Sequence, residues 1–239
     1  MSAELKAAVR IARTSGASAL DEPAGKKLLA SCGIRVPASH VAKSAAEIPS
    51  ALSTLKPPYV LKVVSPEVIH KSDFGAVKVG LKSLTEVERA LAEIEATLDA
   101  KGIGERSWLI EEMASPGLEV VVGGVVDPEF GPMIMTGLGG VFVEVMKDVS
   151  FRICPITRSD AAEMLSELRG APLLQGARGR APISTDALID ILVKMGGEKG
   201  LLTESADEIA EIDINPIIVT AEGATAVDAR FILQHSVEG

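Results

Sequence analysis

Lys62 lies in an apolar, β-branched run from Tyr59 to Val64, ahead of the segment His70-Lys71-Ser72-Asp73-Phe74-Gly75 and of Lys78 on a second alternating run. A glycine-containing turn can aim backbone N–H groups at phosphate oxygens, and lysine ammoniums supply compact positive charge against them. The chemistry suggested is polyphosphate binding. The segment is not a Walker loop, because no GxxxxGK run exists, and a plain surface hairpin with solvated lysines would look the same. Farther on, Glu111 and Glu112 precede Met113 at the end of an apolar strand, and Glu119 opens the next. Acids and exposed backbone at a strand end can read an adenine edge and hold ribose hydroxyls, although strand-end acids are often only solvated. In Asp213-Ile214-Asn215-Pro216 the two oxygen-bearing side chains are two residues apart, which on a strand puts both on one face. A turn at Glu222-Gly223 can bring Asp228 beside them. One or two acids plus an amide suit magnesium, which keeps its waters and shares phosphate oxygens. An Asn-Pro turn beside a hydrogen-bonded acid is the structural alternative. The cluster Gly137-Leu138-Gly139-Gly140, followed by Glu144, Lys147, Asp148 and Arg152, permits close backbone approach to a ligand but is uninformative by itself.

The elements that must position these groups mix α and β without a repeating βαβ period. Asp21 to Cys32 has helical spacing and stops at Gly33, a C-terminal glycine cap. Ser44 with Glu47 and Ser83 with Glu86 read as capping boxes that open helices, the second carrying Leu84, Val87, Leu91, Ile94 and Leu98 on one face. Ile34 to Val41 is extended. Strands are expected over Tyr59 to Val64, Ala76 to Leu81, Trp108 to Met113, Leu118 to Val126 and Pro132 to Thr136, the last three as an antiparallel sheet. Ser159 to Leu168 and Thr185 to Met195 are helical by period, with a loop at Gly170 to Pro182 between them. Ile209 to Ile214, Ile217 to Thr220 and Thr225 to Val227 read as closing strands.

The chain has 239 residues, 47% hydrophobic and 24% charged, so it is neither disordered nor fibrous. At this length folding removes roughly 70–75% of the unfolded chain's surface from water, and a core needs no disulfide or metal to hold it. The formal charge of −9 argues against nucleic acid or anionic lipid as a partner. Cys32 and Cys154 lack ligand spacing and suggest a reducing compartment. Charges at Glu4, Lys6, Arg10, Arg13 and Asp21 interrupt any apolar leader, and the uncharged stretch from Phe130 to Val143 is too short to cross a membrane. A cytoplasmic location is the expectation.

In chain order the four sites resemble an ATP-grasp domain. LKVVSPEVIHKSDFGAVKVGL (61–81), LIEEMASPGLEVVVGGVVDPEFGP (109–132), GLGGVFVEVMKDVSFRICPI (137–156) and EIDINPIIV (211–219) are similar, more closely, to the β subunit of ADP-forming acyl-CoA (acetyl-CoA) synthetases. The likeness covers about Asp21 to Leu233. It implies an α+β fold of two subdomains closing on ATP and magnesium: an N-terminal helical extension over 1–20, a first subdomain over 21–107 with the phosphohistidine loop, and a second over 108–239 with the magnesium site. It further implies the reaction acyl-CoA + ADP + phosphate = acid + CoA + ATP, run through an acyl phosphate and phosphohistidines. His70 matches the phosphorylated histidine. Lys62, with Gly75 and Lys78, matches the phosphate-binding region, and Glu111, Glu112, Met113 and Glu119 match the adenine and ribose region. Asn215 and Asp228, with Asp213, match the magnesium site.

The residue types suit these roles. The cationic neighbour Lys71 disfavours an imidazolium at His70, leaving a neutral nucleophile, and phosphoryl transfer needs positioning and charge neutralisation above all. Where the family usually has two glycines before a valine, this chain has Gly75 and Ala76. It also lacks the CoA module and the second phosphohistidine region. The resemblance therefore implies a CoA-binding α subunit carrying that histidine, and an assembly of two α and two β subunits. The 170–182 loop, with Arg178 and Arg180, is open to three readings: a contact to that partner, a contact to an anionic substrate, or a solvated loop. Two other functions remain open at this point. A direct ATP-grasp acyl-phosphate ligase would not need His70, and a nucleotide-binding regulatory subunit would not need the metal ligands.

Overall fold

The computed structural model describes residues 3–65, 67–68, 75–140, 146–176 and 181–234. His70, Lys71, Glu144, Arg178 and Arg180 lie outside the described residues. Contacts divide the chain into two compact units, 37–114 and 1–36 with 115–239. This division differs from the expected 21–107 and 108–239. Residues 19–36 fold with the C-terminal part because β1 (Ala19–Leu20) pairs with a strand near the end of the chain, Ala19 opposite Ile232.

In the second unit to begin, α1 (Ala3–Thr14) buries Leu5, Val9 and Ala12 along one stripe. The helix α2 (Glu22–Ser31) starts as its sequence dictates. Asp21 Oδ1 accepts the Ala24 N–H at 2.8 Å, Pro23 occupies the first turn, and Gly33 beyond the end takes a φ of +71°. Residues 37–114 form a four-stranded antiparallel sheet. Its strands are β2 (Ser39–Ala42), β3 (Tyr59–Val64), β4 (Val77–Leu81) and β5 (Ser107–Glu112), in the order β2-β5-β3-β4. The short α3 (Ile48–Leu52) and the long α4 (Leu84–Ala100) pack on it. The expected box at Ser83 forms in part: its side chain accepts the Glu86 N–H, while Glu86 Oε2 takes the Lys82 N–H instead. Ser44 makes no side-chain cap, because the turn that follows it is a single 3-10 turn, Ala45–Glu47, ahead of α3. Leu84 is exposed, whereas Val87, Leu91, Ile94 and Leu98 are buried as expected.

The other sheet holds β6 (Leu118–Asp127), β7 (Gly131–Leu138), β8 (Val149–Ile153), β9 (Ile209–Thr220), β10 (Gly223–Ala226) and β11 (Arg230–Leu233) as well as β1. Their order is β1-β11-β9-β6-β7-β8, with β10 hairpinned on β9. The helices α5 (Arg158–Glu167), α6 (Thr185–Gly196) and α7 (Leu201–Glu204) pack against this sheet and share a core with Val122, Ile134, Ile212, Ile214 and Phe231. Two expectations are corrected here. The strands β5 and β6, read as neighbours in one sheet, belong to different sheets. The two strands expected at 209–214 and 217–220 are one strand running through Pro216.

The turn 115–117 between β5 and β6 depends on its glycine. A Cβ on Gly117 would stand 2.4 Å from the backbone oxygen of Val219 in β9, and a backbone atom in a sheet ladder cannot step aside cheaply. Gly117→Ala is therefore expected to destabilise the fold by about 1–3 kcal/mol, read as a lower urea midpoint with an unchanged slope.

Candidate functional site

Lys62 and Glu111 belong to adjacent strands, and their register decides what they do. Val60 opposes Glu111 and Lys62 opposes Leu109, so the two charged side chains share one face of the sheet on a diagonal. Lys62 Nζ lies 3.1 Å from Glu111 Oε2, with both side chains buried. A charge pair out of water is kept only where each partner compensates the other, so this pairing fixes where the ammonium stands. Lys78, expected to work with Lys62, is placed elsewhere. It opposes Leu61, whose side chain is in the core, and therefore lies on the face that α4 covers. Its Nζ donates to Glu93 Oε2 on that helix at 2.7 Å. The cause is a register shift between Tyr59 and Leu61, opposite a Gly80 with φ +76°.

Gly75 takes φ +62°, a conformation that a side chain disfavours. Ala76 needs no such freedom. Its methyl is fully buried and its carbonyl accepts the Val63 N–H at 3.1 Å, so the methyl that distinguishes it from a glycine adds to the core. Glu112 is engaged in structure: its Oε1 accepts the Lys56 N–H at 2.9 Å. Met113 is exposed, and its N–H donates to Pro58 O. Of the expected adenine and ribose group, only Glu111 is buried.

In the other unit, Glu119 is exposed on β6 opposite Ile218, and its carbonyl accepts the Gly139 N–H at 2.7 Å. That bond brings the 137–140 glycine cluster against the start of β6. Asp213 and Asn215 follow on β9. The Val227 N–H donates to Pro216 O at 3.1 Å, and Ala226 opposes Ile217, so the chain leaving β10 turns back along Asn215-Pro216 and carries Asp228 with it. The hairpin expected at Glu222-Gly223 is present, and the return of the chain brings Asp228 near enough to Asp213 to act on it electrostatically, with Asn215 two residues further along β9. Sequence reasoning missed Arg230, which opposes Asp213 in the ladder. The alternation Arg-Phe-Ile-Leu was the available signal for β11.

Burial pushes the Asp213 carboxyl up, and Glu211 and Asp228 push it further, with Arg230 acting against them. Such a cluster of oxygen donors, each carboxylate raising the charge cost of the next, fits a hard divalent cation. Among the described residues no three His, Cys, Asp or Glu side chains stand close enough to hold a metal alone. A cation here would complete its shell with the Asn215 amide, water and ligand oxygens. The native Asp213 carboxyl keeps its proton to a higher pH than in the unfolded chain, where aspartate titrates near about pH 3.9. Its contribution to stability is therefore complete below about pH 4 and lost as pH rises through the native value. In magnesium-free buffer, Asp213→Asn is expected to raise the melting temperature relative to the parent at pH 7 and to leave it level at about pH 4.

The profile of the ATP-grasp domain matches residues 11–233. The chain belongs to the ATP-grasp family. Within that family it is 45% identical over 216 residues to the Pyrococcus furiosus protein named acetate–CoA ligase [ADP-forming] I subunit beta, covering 90% of this chain and 91% of that one. The dinucleotide forming acetyl-coenzyme A synthetase 1 of Ca. Korarchaeum cryptofilum, solved with coenzyme A, Ca-AMPCP and HgCl+, superposes with a TM-score of 0.89 at 40% identity, over 95% of this chain and 98% of that chain. A second structure of that enzyme, with coenzyme A and Mg-AMPPCP, has its phosphohistidine segment pointing towards the nucleotide binding site. It superposes at TM-score 0.81 and 38% identity, over 96% of this chain and 99% of that chain. The expected α+β ATP-grasp architecture is thus the observed one. No helix among the described residues of this ATP-grasp chain is long and apolar enough to cross a membrane.

Proposed function

We propose that this chain is the nucleotide-binding β subunit of an ADP-forming acyl-CoA (acetyl-CoA) synthetase, an acid–thiol ligase that acts with a separate CoA-binding α subunit. The observation that carries this reading is the 45% identity to a protein named as such a β subunit, extending over nearly the full length of both chains. In the overall reaction acyl-CoA, ADP and phosphate give acid, CoA and ATP. Phosphate displaces CoA on the α subunit to form an acyl phosphate. The phosphoryl group then leaves the acyl oxygen, releasing the carboxylate, and is carried on histidine nitrogen to His70. A β-phosphate oxygen of ADP attacks that phosphorus, the P–N bond breaks, and the imidazole recovers its lone pair as ATP forms.

Each role is assigned to a residue of this chain. His70 accepts and gives up the phosphoryl group. Lys62, held by Glu111, supplies positive charge to nucleotide phosphates, and Gly75 gives the loop its turn. Glu119 takes the ribose side, and Asn215 with Asp228, supported by Asp213, holds magnesium. Magnesium, when bound, neutralises charge on the nucleotide phosphates. Lys78, whose ammonium pairs with Glu93, and Glu112, which accepts the Lys56 N–H, are left out of this reading, and Met113, exposed beside Glu112, stays on the adenine side. An assembly of two α and two β subunits and a cytoplasmic location complete the reading.

The test uses the purified chain with its α subunit, magnesium and ATP labelled on the γ-phosphate. Acid-labile, alkali-stable label on the peptide that contains His70 is the expected result. Label absent even with CoA and acid present would remove the relay, and a direct acyl-phosphate ligase would then be the better account.

A further inference from the structure

The two faces of the larger sheet differ: helices cover one, and the other, which carries Asp213, is left open. Val122, Gly124 and Ile134 point to the face covered by α6 and α7: Leu202 stands where a Cβ of Gly124 would go, and Gly196 lies against Ile134. On the opposite face two cross-strand rows are set by register. Glu211, Val125, Met133 and Ile153 form one, and Asp213, Gly123, Met135 and Phe151 form the other. At the β8 end these rows are apolar and open. Phe151 is 51% exposed, Ile153 52% and Val125 44%, and Phe130 in the β6–β7 turn is 58% exposed. Single exposed apolar residues are ordinary, but several large ones aligned in adjacent rows on a sheet's edge mark a contact surface. Among the described residues β8 has no partner on its outer side.

We propose that this outer β6–β7–β8 face is where the CoA-binding α subunit docks, an inference that rests on the function proposed above. Charge selects this occupant over a second copy of the chain. Asp127 and Glu211 flank the patch by register and Glu129 adjoins Phe130, with Arg230 the one cation of these rows, beyond Asp213 at the far end; a two-fold contact between copies, each with a net charge of −9, would set this acid-rich surface against itself. The occupant is therefore a different protein presenting an apolar surface edged with lysine or arginine. Position agrees with charge. The second row runs from Phe151 through Met135 and Gly123 straight to Asp213, so a protein seated on the patch ends beside the carboxylates assigned to magnesium. A subunit that must exchange a phosphoryl group with this chain has reason to dock there.

The experiment compares the parent chain with the double variant Phe151→Ser, Ile153→Lys, both positions being half exposed and outside the assigned site. The variant is expected to keep its circular dichroism, melting temperature and magnesium–ADP affinity, while its dissociation constant for the purified α subunit rises by at least about 30-fold. A second measurement uses the unaltered chain: amide exchange over 131–138 and 149–153 is expected to slow on addition of α subunit. An α-subunit affinity within threefold of the parent, with no change in exchange over these strands, would overturn the proposal. So would a variant that loses self-association while binding α normally, since the occupant would then be a second copy. Failure of the chain to bind magnesium–ADP would count against the proposed function and is read separately from docking.

Discussion

His70→Asn should stop net conversion of acyl-CoA and ADP into acid and ATP, lowering turnover by about 10⁴-fold or more, while magnesium–ADP affinity stays within about twofold of the parent. Asparagine keeps a polar group of similar reach but offers no nucleophilic nitrogen. In a relay the phosphoryl group has no other carrier, so the loss falls on the chemical step and not on binding. A coupled assay for ATP with the α subunit present, together with calorimetry of magnesium–ADP on the β chain, separates the two. Retention of more than about a hundredth of the parent turnover would mean that the phosphoryl group passes directly between acyl phosphate and nucleotide.

Glu111→Leu is expected to cost about 3–5 kcal/mol of stability, because it leaves the Lys62 ammonium buried without its carboxylate. The double variant Glu111→Leu, Lys62→Met should recover most of that loss. Two apolar side chains of similar volume carry no desolvation cost, and the coupling between positions in contact is what a double-mutant cycle measures. Urea unfolding of Glu111→Leu, of Lys62→Met and of the double variant checks the stability claim. Nucleotide binding is expected to follow a different order: both single variants and the double variant bind magnesium–ADP weakly, since each lacks a correctly placed ammonium. If Glu111→Leu instead bound ADP normally and lost only its preference for adenine over guanine, Glu111 would be a base reader and not the residue that positions Lys62.

The division of labour between Lys62 and Lys78 shows how far the primary structure could be read. Both lysines lie on strands expected from composition and alternation, and both flank the same glycine turn. Alternation with a period of two tells which residues of one strand share a face. It does not say how that strand is registered against its neighbour. The shift between Tyr59 and Leu61 is a property of the pair β3–β4, and it turns Lys78 towards α4 and Glu93 while Lys62 meets Glu111. Arg230 was missed for a related reason: its partner Asp213 is 17 residues away in sequence, and only the β9–β11 ladder opposes them.

Local chemistry was legible from the residues alone wherever cause and effect lie within a few positions. Gly33 as the stop of the helix that begins near Asp21, the stripe of Val87, Leu91, Ile94 and Leu98, the turn before Gly223 and the glycine at position 75 all follow from backbone preference and hydrophobic period. The ordered motifs around His70, Glu111 and Asn215 were enough to point to the family. What only the tertiary structure decided were the long-range pairings: β5 and β6 in separate sheets, residues 19–36 folded with the C-terminal strands, and one face of the larger sheet left open, apolar at its β8 end. Those depend on burial of surfaces distant in sequence, a collective free energy that no short window of residues contains.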